Sequence, residues 1–182
     1  MRIITGKAKG RRIVAPDTRD TRPVTDRVRE AVFSMIATAA VDASVLDLYA
    51  GSGAFGLEAL SRGATSVTFV ENGHRALEAL RKNIAAVGLG GTIVTSKVED
   101  FLARSRGVFD LVFVDPPWSV SSADLASDLL ALDPLLNLRA EVILSRRHSD
   151  AVPESPETWR VATDRRYGDT RIVRYEKEAG VT

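Results

Sequence analysis

The sequence predicts an α/β fold: a mostly parallel sheet with helices on both faces. Three observations carry this. Short apolar runs alternate with helical patterns from residue 45 to residue 145 of the 182-residue chain. One run ends in a glycine-rich turn, Asp47-Leu48-Tyr49-Ala50-Gly51-Ser52-Gly53-Ala54-Phe55-Gly56, which opens directly into a helical pattern. Another ends in Asp115-Pro116-Pro117-Trp118, where two prolines prevent a regular helix from starting.

Taken in order, residues 2–5 and 11–14 are short β-type runs around Gly6-Lys7-Ala8-Lys9-Gly10. They predict an N-terminal hairpin with Lys7 and Lys9 at its tip. Residues 17–23 lack periodicity and read as a linker carrying Arg19 and Arg22. Val28, Val32, Met35 and Ile36 recur at helical spacing behind Thr25 and Asp26, either of which suits a helix cap. That helix either covers the sheet or brings its N-terminus beside a ligand site. Strands are then predicted at 45–48, 67–71, 92–96, 110–115 and 141–145, with helices after the glycine turn, over 73–87, from 98 and over 123–132. Residues 159–167 and 170–175 read as two strands joined through Gly168-Asp169, an antiparallel hairpin at one edge. The division is a basic extension over residues 1–22 and a catalytic domain over 23–182.

Gly51, Gly53 and Gly56 satisfy the dinucleotide fingerprint G-x-G-x-x-G, and two acids narrow the ligand. Asp47 precedes the first glycine by four residues, where its carboxylate would repel a diphosphate. Glu71 ends the next strand, where an acid can take both hydroxyls of a ribose. S-adenosylmethionine, which has a ribose and a sulfonium but no phosphate, suits this pair. The alternative is that both acids cap turns. Asp100 follows the third predicted strand and can accept from an adenine amino group, with Phe101 against the purine; a helix-start acid explains Asp100 equally well.

Composition excludes several classes. There is no cysteine, hence no disulfide framework and no thiolate metal site. The two histidines, His74 and His148, lack the spacing of a zinc site, so no metal is expected. No apolar run reaches the length of a membrane span and no signal peptide is apparent, which reads as a cytoplasmic protein. Net charge is +1 but unevenly spread: within residues 1–30, seven Arg and two Lys stand against four acids. Such an arm either faces a polyanion or solubilises the chain. Arg2, Lys7, Lys9, Arg11, Arg12, Arg22 and Arg27 are its candidate contacts to a polyanion such as a nucleic acid.

The loop Asp115-Pro116-Pro117-Trp118 supplies chemistry. Its Asp115 carboxylate and Pro116 carbonyl can accept from an exocyclic amine and aim it at a sulfonium methyl, so placement provides most of the acceleration. Pro117 keeps the backbone extended. Trp118 offers a flat face on which a base can stack.

This loop resembles the [D/N]-P-P-[F/Y/W] motif of amino-methylating S-adenosylmethionine-dependent methyltransferases. Three longer segments resemble the RsmD family: Met1-Arg2-Ile3-Ile4-Thr5-Gly6-Lys7-Ala8-Lys9-Gly10-Arg11-Arg12, the stretch Arg22-Pro23-Val24-Thr25-Asp26-Arg27-Val28-Arg29-Glu30, and the glycine turn continued through Gly63-Ala64. Tyr167-Gly168-Asp169-Thr170 is similar as well, so the resemblance spans nearly the whole chain. It implies a class I fold, a Rossmann-like seven-stranded sheet whose last strand is inserted antiparallel to the rest, behind an N-terminal β-hairpin. It also implies methylation of the exocyclic N2 of one guanine in 16S ribosomal RNA, with the small ribosomal subunit or an assembly intermediate as partner and a monomeric enzyme.

On the same resemblance, Asp47, Tyr49, Gly51, Ser52 and Gly53 hold the methionine moiety of the cofactor. Glu71 holds the ribose and Asp100 the adenine, with Asn72, Glu99 and Phe101 also at the cofactor, and residues 115–118 take the target base, extruded and stacked on Trp118. Trp118 stands where Phe or Tyr is commoner, and Val24 where Thr or Ser is. Adenine N6 or a protein amide nitrogen is the alternative amine. A nicotinamide oxidoreductase would match the glycines but leave Asp47 and the proline loop without a role. A non-catalytic RNA-binding module would leave both motifs without one.

Overall fold

The computed structural model describes residues 1–16 and 25–178. Seven strands form one sheet: β1 (Ser44–Leu48), β2 (Ser66–Glu71), β3 (Thr92–Thr95), β4 (Phe109–Val114), β5 (Leu136–Arg147), β6 (Trp159–Tyr167) and β7 (Thr170–Lys177). Their order is β3-β2-β1-β4-β5-β7-β6, parallel through β5, with β7 antiparallel to both neighbours. The terminal pair is therefore not a hairpin added at an edge, as the residues alone suggest, but carries the inserted last strand that the family resemblance implies. β7 inserts between β5 and β6, so the turn at Gly168 lies at the sheet edge where β4 and β5 end.

The helices are α1 (Asp26–Met35), α2 (Ala54–Ser61), α3 (His74–Val87), α4 (Val98–Arg104) and α5 (Ser122–Leu132). The alternation of the strands decides which helices they meet. Val45, Leu111, Phe113, Ile143 and Ile172 face one cluster with α1, α2 and α3; Leu46, Val112, Val114, Val142, Leu144 and Val173 face another with α4 and α5. Phe55 of α2 stacks on Phe113 at 4.9 Å, and Phe33 of α1 lies 5.5 Å from Phe113. These rings seat α1 on the sheet.

The predicted N-terminal strands reduce to one antiparallel bridge, Arg2–Arg12. Ile3 and Ile13 N–H reach across to the Arg11 and Met1 carbonyls at 2.9 and 3.1 Å, but other backbone donors leave the pair. Ile4 and Thr5 N–H donate to the buried Glu58 carboxylate at 2.7 and 3.0 Å, and Lys7 N–H to the Ser61 carbonyl at 2.8 Å. Ile3, Ala8 and Ile13 are buried in the first cluster, so the segment is docked along α2 and α3. A Cβ on Gly6 would fall 1.8 Å from the Ser61 carbonyl oxygen, and Gly6 has a φ of +86°, so glycine is required there twice over. β5 is longer than predicted because Arg139, at φ +64°, breaks its alternation near a register shift against β4.

Candidate active site

Every predicted cofactor-binding and catalytic element follows the C-terminal end of a parallel strand, where ligands bind in open α/β sheets. β1 leads into the glycine turn. Tyr49 at φ +57°, Gly51 at +55° and Gly53 at +77° coil the backbone so that Gly53 becomes the N-cap of α2. The glycines serve different ends. An added Cβ at Gly51 would meet only the Tyr49 carbonyl oxygen, at 3.9 Å, leaving an open approach for a ligand; one at Gly56 would fall 2.4 Å from Phe69. Gly56 is thus a packing glycine, where α2 crosses β2.

Two carboxylates are tied to this turn. Asp47, 1% exposed, accepts from Gly56 N–H at 2.9 Å. Glu71 accepts from Gly51 N–H at 2.8 Å through one oxygen, and from Asn72 and Gly73 N–H at 2.8 and 2.7 Å through the other. Burial holds the Asp47 carboxyl well above the usual carboxylate range; the Gly56 N–H opposes this, and the nearby Asp115 and Glu71 charges add to it. Three acids thus share one electrostatic field at the turn, which a cationic ligand would relieve. The Ser52 carbonyl is held by Asn83 at 2.8 Å. Tyr49 turns away from the glycines, and its hydroxyl donates to Asp128 of α5 at 2.6 Å. Asn72, Glu99 and Asp100 are exposed, Phe101 is half-buried against the second cluster, and Glu99 pairs with Lys97 at 3.5 Å.

The proline loop follows β4. Asp115 N–H reaches the Leu48 carbonyl at 3.5 Å, linking the loop to the end of β1, and Val120 N–H closes it on the Pro117 carbonyl at 3.0 Å. Pro116 is buried and Pro117 half-buried. Burial pushes the Asp115 carboxyl up to about 6, while a hydrogen bond from the Ser145 hydroxyl draws it down. Beside it lies a cleft of about 450 Å³. Asp115, Trp118 and Ser145 form one wall, Thr25, Arg27 and Val28 of the α1 N-terminus a second, and residues 166–170 of the β6–β7 turn a third. That turn is tethered by His148 N–H, which donates to the Asp169 carbonyl at 2.7 Å. A cleft of this size with two carboxylates, two arginines and an indole accommodates a purine and can hold its amine against Asp115.

Of the predicted residues, the structure brings Asp47, Gly51, Glu71 and Asp115 together and adds Arg27 to the cleft. The remaining basic candidates lie elsewhere. Arg2, Lys7, Lys9, Arg11 and Arg12 are exposed along the N-terminal segment, and Arg22 lies outside the described residues. Arg11 donates to the Ala86 and Val87 carbonyls at the end of α3, at 3.1 and 2.5 Å, and Arg2 to the Gly10 carbonyl at 3.2 Å. Sequence reading missed Ser145, Thr25 and the turn as cleft walls. Tyr167-Gly168-Asp169-Thr170 was a usable signal for the turn; a serine at the end of β5 carries none. Among the described residues no group of side chains could hold a metal ion, and no helix is long and apolar enough to cross a membrane.

Comparison with known proteins agrees with this fold. The chain is 36% identical to the ribosomal RNA small subunit methyltransferase D of Escherichia coli K12 over 180 residues, covering 98% of this chain and 91% of the relative. The solved structure of a putative methyltransferase, yhhF, from Escherichia coli superposes with a TM-score of 0.86 at 34% identity, covering 98% of both chains. A putative methyltransferase complexed with SAH shares the fold, with a TM-score of 0.71 at 16% identity over 82% of this chain and 48% of that one. The seven-stranded sheet with its inserted antiparallel strand is the class I methyltransferase fold. Residues 1–176 match the family described as Conserved hypothetical protein 95, and the chain belongs to that family, the RsmD family.

Proposed function

We propose that this protein is an S-adenosylmethionine-dependent methyltransferase that modifies the exocyclic N2 of one guanine in 16S ribosomal RNA, acting in the cytoplasm on the small subunit or its precursor. The observation that carries the reading is the convergence of Asp47, Glu71 and Asp115 on one glycine turn beside a purine-sized cleft. A nicotinamide dinucleotide would set its diphosphate against those acids. S-adenosylmethionine sets a sulfonium and an ammonium there instead, and supplies an electrophilic methyl group.

On this reading Gly51 leaves the turn open to the methionine moiety, Glu71 accepts from the ribose hydroxyls, and Asp100 with Phe101 meets the adenine. Asp115 and the Pro116 carbonyl accept from the two N–H bonds of the guanine amine, so that its lone pair faces the methyl group. After transfer the cationic amine loses a proton to Asp115 or to water. Holding the amine in one orientation accounts for most of the rate, because the methyl donor is already activated. Lys7, Lys9 and Arg12 would contact RNA phosphates along the docked N-terminal segment, giving register rather than base choice.

The test is methyl transfer from tritiated S-adenosylmethionine to undermodified small subunits and, separately, to naked 16S RNA, followed by nucleoside analysis. N2-methylguanosine at a single site supports the reading. N6-methyladenosine would move the target to another amine, and no label in either RNA would remove the rRNA substrate.

A further inference from the structure

β5 ends in Ser145, Arg146 and Arg147, and each meets a different point on the proline loop. Ser145 lines the cleft beside Asp115. Arg146, 3% exposed, donates to the Val120 carbonyl at 3.1 Å and is itself held by Asp150 at 3.2 Å. The Arg147 guanidinium lies over the Trp118 ring, 4.3 Å from its centroid. Arg147 has no carboxylate partner among the described residues, so the indole orients it. Trp118 belongs to the cleft wall and Arg147 does not.

A planar guanidinium stacks on an aromatic face as well as being attracted to it, and indole is the strongest such partner. A half-buried tryptophan on a loop would otherwise sample several rotamers, and fixing it before substrate arrives removes that cost from binding. We propose that Arg147 is a positioning residue for the substrate base: it backs one face of Trp118 and leaves the cleft-side face to the purine, giving a three-layer stack of guanidinium, indole and base. This rests on the function proposed above. It also separates Arg147 from an ordinary phosphate contact, for which any cation would serve.

The experiment uses the full chain labelled with 5-fluorotryptophan. With two tryptophans, fluorine NMR gives two resonances, and the one lost in W118F belongs to Trp118. In R147A the Trp118 resonance shifts while that of the buried Trp159 stays, which also reports an intact fold. The KM for RNA rises about 5- to 10-fold, with kcat within about 2-fold of wild type. R147K, which keeps the charge but not the plane, shows most of both changes. An unmoved Trp118 resonance in R147A overturns the inference, as does an R147K enzyme matching wild type in KM. Failure of the functional reading looks different: the wild type itself transfers no methyl group to RNA, while the resonances still report whether Arg147 holds the indole.

Discussion

The Tyr49 hydroxyl donates to Asp128 Oδ2 at 2.6 Å, joining the glycine turn to α5 on the far side of the sheet. Asp128 is 8% exposed, and burial raises its carboxyl above the usual range while the Tyr49 bond opposes that rise. Removing the donor leaves a buried carboxylate without it. Y49F should lose about 1–3 kcal/mol in urea unfolding. D128N, whose carbonyl still accepts, should lose less than about 1 kcal/mol. Equal losses would show that the bond itself contributes little.

Asp115 should separate activity from stability. Its carboxyl sits near 6, above the unfolded value of 3.8, so its ionised form weighs against the fold. That cost is absent below about pH 4 and complete above about pH 6. D115N should therefore be more stable than wild type above pH 6, by about 1–3 kcal/mol, with the gain fading towards pH 4. It should bind S-adenosylmethionine nearly as well as wild type and turn over RNA at background. Wild-type kcat/KM should fall as pH drops below about 6, when the acceptor of the amine is protonated. Calorimetry across pH and single-turnover assays check both halves; a pH-independent stability difference would contradict the assignment.

The glycines should divide in the same manner. G56A forces Phe69 to move and should cost about 1–3 kcal/mol in thermal unfolding. G51A meets no protein atom closer than 3.9 Å but must hold φ near +55°, so about 1 kcal/mol of stability is lost and the ligand approach is filled. Titration calorimetry with S-adenosylmethionine should show the larger loss of affinity in G51A.

Charge reversal along the N-terminal segment should not act uniformly. Arg11 serves the last carbonyls of α3 at Ala86 and Val87, so R11E should lower the melting temperature. Lys7, Lys9 and Arg12 should instead affect RNA alone. K7E, K9E and R12E should each reduce the slope of log affinity against log salt by at least ~0.7, with melting unchanged. An unaltered slope in all three would remove this segment from the RNA surface.

The strand and helix alternation was legible from residue 45 onward because the strands β1 to β4 are largely apolar and each is followed by a turn signal. Asp47, Glu71 and Asp115 could be read for the same reason: each stands at the end of such a run. The cleft could not. Its third wall comes from a turn more than fifty residues beyond Asp115, brought back only because β7 slots between β5 and β6, and no local pattern announces that order. The N-terminal runs pair over a shorter length than read: Ile3 and Ile13 N–H reach across to the Arg11 and Met1 carbonyls, while Ile4 and Thr5 N–H go to a carboxylate on α2. Glu58 resembles a surface residue of a helix until Ile4 and Thr5 are laid against it.

That docking has a consequence for how the chain is made. Residues 3–14 leave the ribosome well before Glu58, Ser61, Asn83 and Val87, their hydrogen-bond partners. During synthesis Ile3, Ala8 and Ile13 stay exposed until α2 and α3 have emerged, and only then can residues 3–14 be locked in place. This segment thus settles after the helices that follow it, and a slow codon placed between residues 14 and 87 would prolong the interval in which those apolar side chains remain open to other partners.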